Sequence, residues 1–223
     1  MKLPSNIKQA PLNKDEFFQE EHEKTQIVLH HTAGNASGVA TAKAWDADKR
    51  GRIATCVLIS GKGAKNTADG EIVQVFSSKY WAYHLGIKQE VFKAYKVPAK
   101  VLDKTSIGIE ICNWGPLEKV GDRFYNYVDQ EVKAEDVCVL DKPYKGFIYW
   151  HAYTEAQIES VRQLLLYWKG LYNIPLDFDY AKMFSVNTDA LKNVPGIYTH
   201  NSYRKDKMDI YPCPKMIAML KNL

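Results

Sequence analysis

Cysteine is scarce in this chain, and the four cysteines among its 223 residues follow no spacing typical of a metal or redox motif. No two of them form a Cys-x-x-Cys pair, and their density is far below that of a small secreted domain stabilised by disulfides. Cys56 and Cys112 lie within apolar stretches typical of strands. We therefore expect reduced thiols, with these two cysteines in the core.

Long apolar runs are absent as well. No window approaches the roughly 18 apolar residues of a membrane-spanning helix. Residues 1–6 contain no apolar core of a secretory signal peptide. The sequence predicts a soluble protein that is synthesised in the cytoplasm and does not insert into a membrane.

Neither sign of charge is concentrated in one segment. The 30 basic and 26 acidic side chains leave a formal net charge of +4, which only mildly favours an anionic partner. No cluster of lysine and arginine is dense enough to indicate nucleic-acid binding. Gly61-Lys62-Gly63 lacks the rest of a phosphate-binding loop, so we interpret it as a turn between strands.

The hydrophobic pattern predicts one α/β domain. With 46% hydrophobic residues the chain can bury one sizeable core, and no repeat, low-complexity tract or Gly/Ser linker divides it. Four apolar segments are typical of strands: the run that begins at Gln26, and residues 53–59, 71–76 and 105–112. We expect a central mixed β-sheet flanked by helices.

Helix signals and polar stretches divide the rest of the chain. Three helices are predicted: one capped by Asn35 or Ser37 that ends near Gly51, one from the capping box Thr154-Glu155-Ala156-Gln157 to Gly170, and one after Pro214. The polar residues 1–24 are predicted as an N-terminal arm and residues 25–223 as the domain. Residues 117–148 are predicted as an inserted β-ribbon or long loop.

Two consecutive histidines, His30 and His31, stand at the end of the first apolar run. A strand that delivers an imidazole at its end can anchor a metal to a sheet, which points to a zinc hydrolase. Adjacent side chains of a strand face opposite sides, so at most one of these two can be a ligand. The alternative interpretation is a pair of buried, hydrogen-bonded histidines.

A second candidate group surrounds His200. A catalytic zinc needs about three protein ligands and one open position for water. His30, His200 and Asp209 would supply two neutral donors and one anionic donor. Taken alone, Asp209 is more typical of a loop or capping carboxylate. Only the pattern of residues around it makes it a candidate ligand.

Glu110 interrupts an apolar strand pattern. Ile107, Ile109 and Ile111 share one face of the predicted strand, and Glu110 lies on the other. Partial burial would raise the pKa of this carboxyl toward the range useful for accepting a proton from water. The alternative is a glutamate held in a salt bridge.

Five motifs occur in the order seen in one known family: Leu29-His30-His31-Thr32-Ala33, Trp81-Ala82-Tyr83-His84-Leu85-Gly86, Ser106-Ile107-Gly108-Ile109-Glu110-Ile111-Cys112-Asn113, Tyr153-Thr154-Glu155-Ala156-Gln157 and residues 200–209. On these motifs the chain resembles the zinc-dependent N-acetylmuramoyl-L-alanine amidases of the type 2 family, over about residues 25–220. That family includes phage endolysins and is similar in fold to the peptidoglycan recognition proteins.

The resemblance implies roles for individual residues. His30 matches the first ligand of the family, His200 the second and Asp209 the third. His31 then becomes a packing residue or a support for a ligand. Lys207 matches the lysine two positions before the third ligand.

Further matches concern the base and the cleft wall. Some relatives place a tyrosine near the metal in the second strand, where this chain has Thr55, as in the branch that uses the glutamate of a Gly-Ile-Glu motif. This makes Glu110 the implied base. His84 matches a histidine that lines the substrate cleft, where it would hydrogen-bond the substrate or fill a wall. His151 matches no ligand position.

The chain departs from the family after the third ligand. Many relatives have Asp-Pro-Gly-Pro, whereas this chain has Asp209-Ile210-Tyr211-Pro212-Cys213-Pro214. Cys213 could therefore compete as a thiolate ligand, although the spacing from Lys207 favours Asp209.

The resemblance implies zinc in a surface cleft and hydrolysis of the amide between N-acetylmuramic acid and L-alanine in peptidoglycan or a muropeptide. Glu110 would move the proton, and Lys207 would stabilise the oxyanion. We expect a monomeric phage lysin, synthesised in the host cytoplasm and acting on the cell wall after release. The alternatives are a cytoplasmic amidase that recycles wall fragments, a zinc peptidase, and a non-catalytic peptidoglycan-binding module, which would be expected to lack a ligand.

Overall fold

The computed structural model describes residues 4, 7–34 and 37–223. Most of residues 1–6, where no signal peptide was expected, lie outside the described residues. The same is true of Asn35, which the sequence offered as an alternative helix cap. Among the helices of the described part, none has both the length and the apolar character that crossing a bilayer requires.

The regular elements alternate along the chain. The strands are β1 (Ile7–Gln9), β2 (Gln26–His31), β3 (Val57–Ile59), β4 (Ile72–Gln74), β5 (Ser106–Ile111), β6 (Glu118–Val120), β7 (Arg123–Tyr125), β8 (Glu131–Val132), β9 (Val137–Tyr144), β10 (Phe147–His151) and β11 (Gly196–Thr199). The α-helices are α1 (Gly38–Asp46), α2 (Gln89–Ala94), α3 (Val101–Thr105), α4 (Glu155–Tyr172), α5 (Tyr180–Phe184), α6 (Thr188–Leu191) and α7 (Pro214–Leu220). Short 3-10 turns cover Ala134–Asp136 and His200–Ser202.

The predicted mixed β-sheet is confirmed. Six strands form it in the order β1-β4-β3-β5-β2-β11, and all neighbours are parallel except the antiparallel pair of β3 and β4. Parallel strands covered on both faces are apolar along their whole length, and every residue of β2 is buried. The sheet is therefore the centre of the core.

The two faces of β2 enter different hydrophobic clusters. Ile27 and Leu29 belong to the larger cluster, together with Val161 and Leu165 of α4. Val28 faces the other way and belongs to a smaller cluster that includes residues of α2, α3 and α6. Helices thus cover the sheet on both sides, as the sequence predicted.

Helix α4 begins as predicted and ends later than predicted. The hydroxyl of Thr154 accepts from Gln157 N at 3.1 Å, and the Gln157 side chain accepts from Thr154 N at 3.1 Å, which completes the capping box. Gly170 was predicted to end this helix, but it lies inside it. The helix ends at Tyr172, and the capping residue Asn173 adopts a left-handed conformation with φ of 55°, a role that asparagine shares with glycine.

The N-terminal segment contributes to the sheet and to the core. Residues 7–9, within the predicted arm, form the edge strand β1. Leu12 and Phe17 are buried, and the Phe17 ring stacks on Phe76 with centroids 4.9 Å apart. This segment therefore packs as part of the α/β domain.

Residues 117–148 contain β-structure of their own. Strands β6, β7 and β8 form a small antiparallel sheet, and β9 pairs with β10 as a hairpin. Trp150 anchors the hairpin, since it is fully buried and stacks on Tyr211 with centroids 4.6 Å apart. The insertion is thereby attached to the segment that follows Asp209.

The burial of β5 yields a stability prediction. Ile109 is fully buried on the face opposite Glu110, so Ile109→Ala should lower the free energy of unfolding by about 2–5 kcal/mol. Val139→Ala, at an exposed strand position, is the control and should change it by less than about 0.5 kcal/mol. Urea denaturation followed by circular dichroism measures both, and equal effects would contradict this account of the core.

Candidate active site

A cleft of about 520 Å³ opens at the carboxyl ends of β2 and β5. Because these strands are parallel and adjacent, their last residues meet at one edge of the sheet. His30 and Glu110 are partners in that register, so their side chains leave the sheet on the same face. His200, Lys207 and Asp209 reach the same cleft from the chain after β11.

Three donor atoms converge at the floor of the cleft. Asp209 Oδ2 lies 3.1 Å from His30 Nδ1 and 3.0 Å from His200 Nδ1, and the two Nδ1 atoms are 3.1 Å apart. A tetrahedral zinc with ligand bonds of about 2.0–2.1 Å has ligand atoms roughly 3.3 Å apart. The three residues therefore fit a metal ion, and they form the group that the described residues offer for one.

The charges in this group suit a cation. Burial lowers the pKa of His30 to about 4, so the imidazole is neutral at physiological pH. Burial by itself would raise the pKa of Asp209, but hydrogen bonds to His200 and His30 outweigh it and hold the pKa well below its usual value. Two buried histidines and an ionised carboxylate are a donor set that zinc accepts.

Glu110 stands in the same cleft without a protein partner. Within the described part of the chain, no hydrogen bond or salt bridge engages its carboxylate. Burial raises its pKa well above the usual value, Asp209 raises it further, and Lys207 lowers it. The salt-bridged alternative is therefore not observed, and the carboxyl is available to a molecule in the cleft.

His31 and Thr55 occupy different surroundings. His31 faces the opposite side of the sheet, where its Nδ1 lies 2.8 Å from the hydroxyl of Tyr153. Burial lowers the pKa of His31 to about 4. Thr55 lines the cleft, and its hydroxyl donates to the carbonyl of Val57 at 3.0 Å. His31 thus supports the opposite face and does not reach the metal group.

Cys213, the alternative third ligand, lies outside the group. It is buried in the main hydrophobic cluster at the start of α7. A hydrogen bond from Cys138 lowers the pKa of its thiol, and all four cysteines are free. The chain fold thus directs Asp209, and not Cys213, toward His30 and His200.

The sequence analysis missed Asn201. This residue is fully buried, and its amide nitrogen donates at 2.9 Å to the carbonyls of both Asp209 and Ile210. It therefore clamps the loop that brings Asp209 beside His200. The only signal in the sequence was its position next to His200. The carbonyl groups that accept its hydrogen bonds come close to it only when the loop folds.

The outer nitrogens of both histidines are also engaged. His200 Nε2 lies 3.0 Å from the carbonyl oxygen of Leu85, and His30 Nε2 lies 2.9 Å from His84 Nδ1. His84 lines the cleft, and its other nitrogen lies 2.8 Å from the hydroxyl of Ser106. Each of the two histidine rings is thus held from the side opposite the group of three donor atoms.

Comparison with known proteins gives a family for the sequence and similar solved structures for the fold. The model of a protein family described as N-acetylmuramoyl-L-alanine amidase matches residues 21–214. No curated protein sequence matches the chain. A similar solved structure is that of PlyL, with 15% identity and a TM-score of 0.51 over 96% of each chain.

Two further solved structures share the fold. Staphylococcus aureus hydrolase AmiA in complex with its ligand has 11% identity and a TM-score of 0.54, over 99% of this chain and 83% of that chain. AmiD from E. coli, in complex with the substrate anhydro-N-acetylmuramic acid-L-Ala-D-gamma-Glu-L-Lys, has 18% identity and a TM-score of 0.50. That match covers 90% of this chain and 59% of AmiD.

The choice of third ligand can be tested by metal content. Asp209→Ala should lose bound zinc, because it removes the oxygen that lies within hydrogen-bond distance of both Nδ1 atoms. Cys213→Ser should keep zinc. Elemental analysis after gel filtration measures zinc per chain, and the reverse pattern would assign Cys213 as the ligand.

Proposed function

Since the chain belongs to the N-acetylmuramoyl-L-alanine amidase family, we propose that it uses a zinc ion to cleave the amide bond between N-acetylmuramic acid and L-alanine in peptidoglycan. One observation carries the proposal: the donor atoms of His30, His200 and Asp209 converge in the cleft that also holds Glu110, whose carboxyl group has no hydrogen-bond or salt-bridge partner among the described residues. A zinc ion held there would supply a Lewis acid for the amide carbonyl and for a water molecule.

We assign the proton transfers to Glu110. A carboxylate with a raised pKa can take a proton from the attacking water and release it to the departing amine. Glu110 has this environment, and its strand register places it beside His30. The carboxylate of Asp209, with its depressed pKa, is the poorer base.

We assign charge stabilisation to Lys207. It lines the cleft two residues before Asp209, and it acts electrostatically on both Glu110 and His30. An ammonium group in this position would stabilise negative charge that develops on the carbonyl oxygen during attack.

The contact of His84 with the substrate stays a prediction. Both of its ring nitrogens lie within hydrogen-bond distance of protein groups, His30 and Ser106. A substrate in the cleft would therefore meet the carbon edge or the face of the ring.

For the biological role we propose a monomeric phage lysin that acts on the cell wall after release from the host cytoplasm. The muropeptide bound to AmiD supports a muropeptide substrate and keeps the recycling of wall fragments as a second role. A non-catalytic binding module would be expected to lack a ligand, whereas all three donors are present. Turnover of intact sacculi compared with soluble muropeptides separates lysis from recycling.

The bond that is cleaved can be read from the products. Digestion of peptidoglycan should release L-alanine amino termini without new reducing sugar ends, because the proposed chemistry leaves the glycan intact. Amine labelling, a reducing-end assay and mass spectrometry measure this, and EDTA should abolish it. New reducing ends would indicate a glycosidase, and cleavage within the stem peptide would indicate a peptidase.

The role of Glu110 predicts that its substitution lowers turnover and leaves zinc binding unchanged. Glu110→Gln should lower kcat by about 10²- to 10⁴-fold, because the amide cannot accept the proton, while zinc content stays at the wild-type level. Glu131→Gln, at an exposed position, is the matched control. A Glu110→Gln enzyme with a normal rate would remove this residue from the mechanism.

A further inference from the structure

Both histidine ligands are supported by one short segment, His84–Leu85. His30 Nε2 lies 2.9 Å from the His84 ring, and His200 Nε2 lies 3.0 Å from the backbone oxygen of Leu85. His30 and His200 lie at opposite ends of the domain sequence, and both of their rings contact this one segment.

The direction of each hydrogen bond follows from Ser106. Its hydroxyl donates to the carbonyl of Leu102 at 2.5 Å, which uses its one proton, so it accepts from His84 Nε2 at 2.8 Å. A neutral imidazole has one N–H, so His84 Nδ1 accepts from His30 Nε2. If a zinc ion replaces the hydrogen bonds that the two Nδ1 atoms make with Asp209, His30 Nδ1 would therefore present its lone pair to that ion.

The same argument applies to His200. The Leu85 carbonyl can only accept, so His200 Nε2 is the donor, and His200 Nδ1 would present its lone pair to the same ion. Both ligand tautomers are therefore set from behind the metal group.

Asp103 holds the shared segment in place. Its Oδ1 accepts from the backbone nitrogens of both His84 and Leu85, each at 3.0 Å. The residue is buried, with 4% of its surface exposed, and within the described residues no salt bridge engages it. It also lies on α3, next to Leu102, whose carbonyl ends the relay from His30.

We propose that Asp103 is a positioning residue of the metal site, which orients His30 through His84 and Ser106 and orients His200 through the Leu85 carbonyl. The inference rests on the proposed zinc site and adds the residue that keeps it preorganised. Asp103 touches neither the metal nor the substrate. Loss of such an outer partner typically lowers metal affinity by about 10- to 100-fold.

The test measures metal affinity in the full chain. Asp103→Ala leaves two backbone N–H groups without an acceptor, and its affinity for zinc in competition with a chromophoric chelator should fall by about 10- to 100-fold. Asp103→Asn keeps an acceptor oxygen and should restore most of it. Asp122→Ala, in the exposed turn between β6 and β7, is the control and should bind as the wild type does.

A second readout reports ligand geometry. The visible absorption spectrum of the Co²⁺-substituted protein should change in Asp103→Ala and stay unchanged in the control. If Asp103→Ala does not fold, Ser106→Ala breaks the relay and keeps the carboxylate, and its zinc affinity should also fall. Wild-type affinity and spectrum in whichever of these variants folds would overturn the inference. A wild-type chain that binds no zinc would instead contradict the proposed function on which it rests.

Discussion

The parallel pairing of β2 with β5 is the constraint on which the rest of the structure depends. Its register places His30 opposite Glu110, so the imidazole of a candidate metal site and a carboxyl group emerge side by side. A slip of one residue would turn one of them to the other face. The apolar neighbours prevent such a slip, because Leu29 and Ile109 are fully buried on the opposite side.

Two carboxyl groups of the cleft, Asp209 and Glu110, have pKa shifts in opposite directions. Asp209 is compensated by hydrogen bonds to two histidines, which lower its pKa in spite of burial. Glu110 has no such partner, so burial dominates and its pKa rises. Environments that separate the pKa values of neighbouring acids also separate their roles. Here the lowered pKa favours Asp209 as a ligand, and the raised pKa favours Glu110 as a base.

The proposed third ligand, Asp209, reaches the site only because the chain closes over a long distance in sequence. Asp209 lies 179 residues after His30, and the loop that carries it has little regular structure. Asn201 holds that loop at the carbonyls of Asp209 and Ile210, and Tyr211 stacks on Trp150 of strand β10. Polar clamps and aromatic packing thus replace secondary structure at this point of the site.

The sequence by itself determined the α/β class, the capping box of α4, the alternation that separates Glu110 from Ile109, and the candidate ligands His30, His200 and Asp209, because these follow from periodicity and ordered motifs. It did not determine where α4 ends, since a left-handed residue can be asparagine as well as glycine. Only the tertiary structure decided that Asp209 and not Cys213 meets the histidines, and that Asp103 and Asn201 support the site. Those contacts join residues of different elements through buried backbone groups, and no local pattern records which distant N–H or carbonyl a polar side chain will meet.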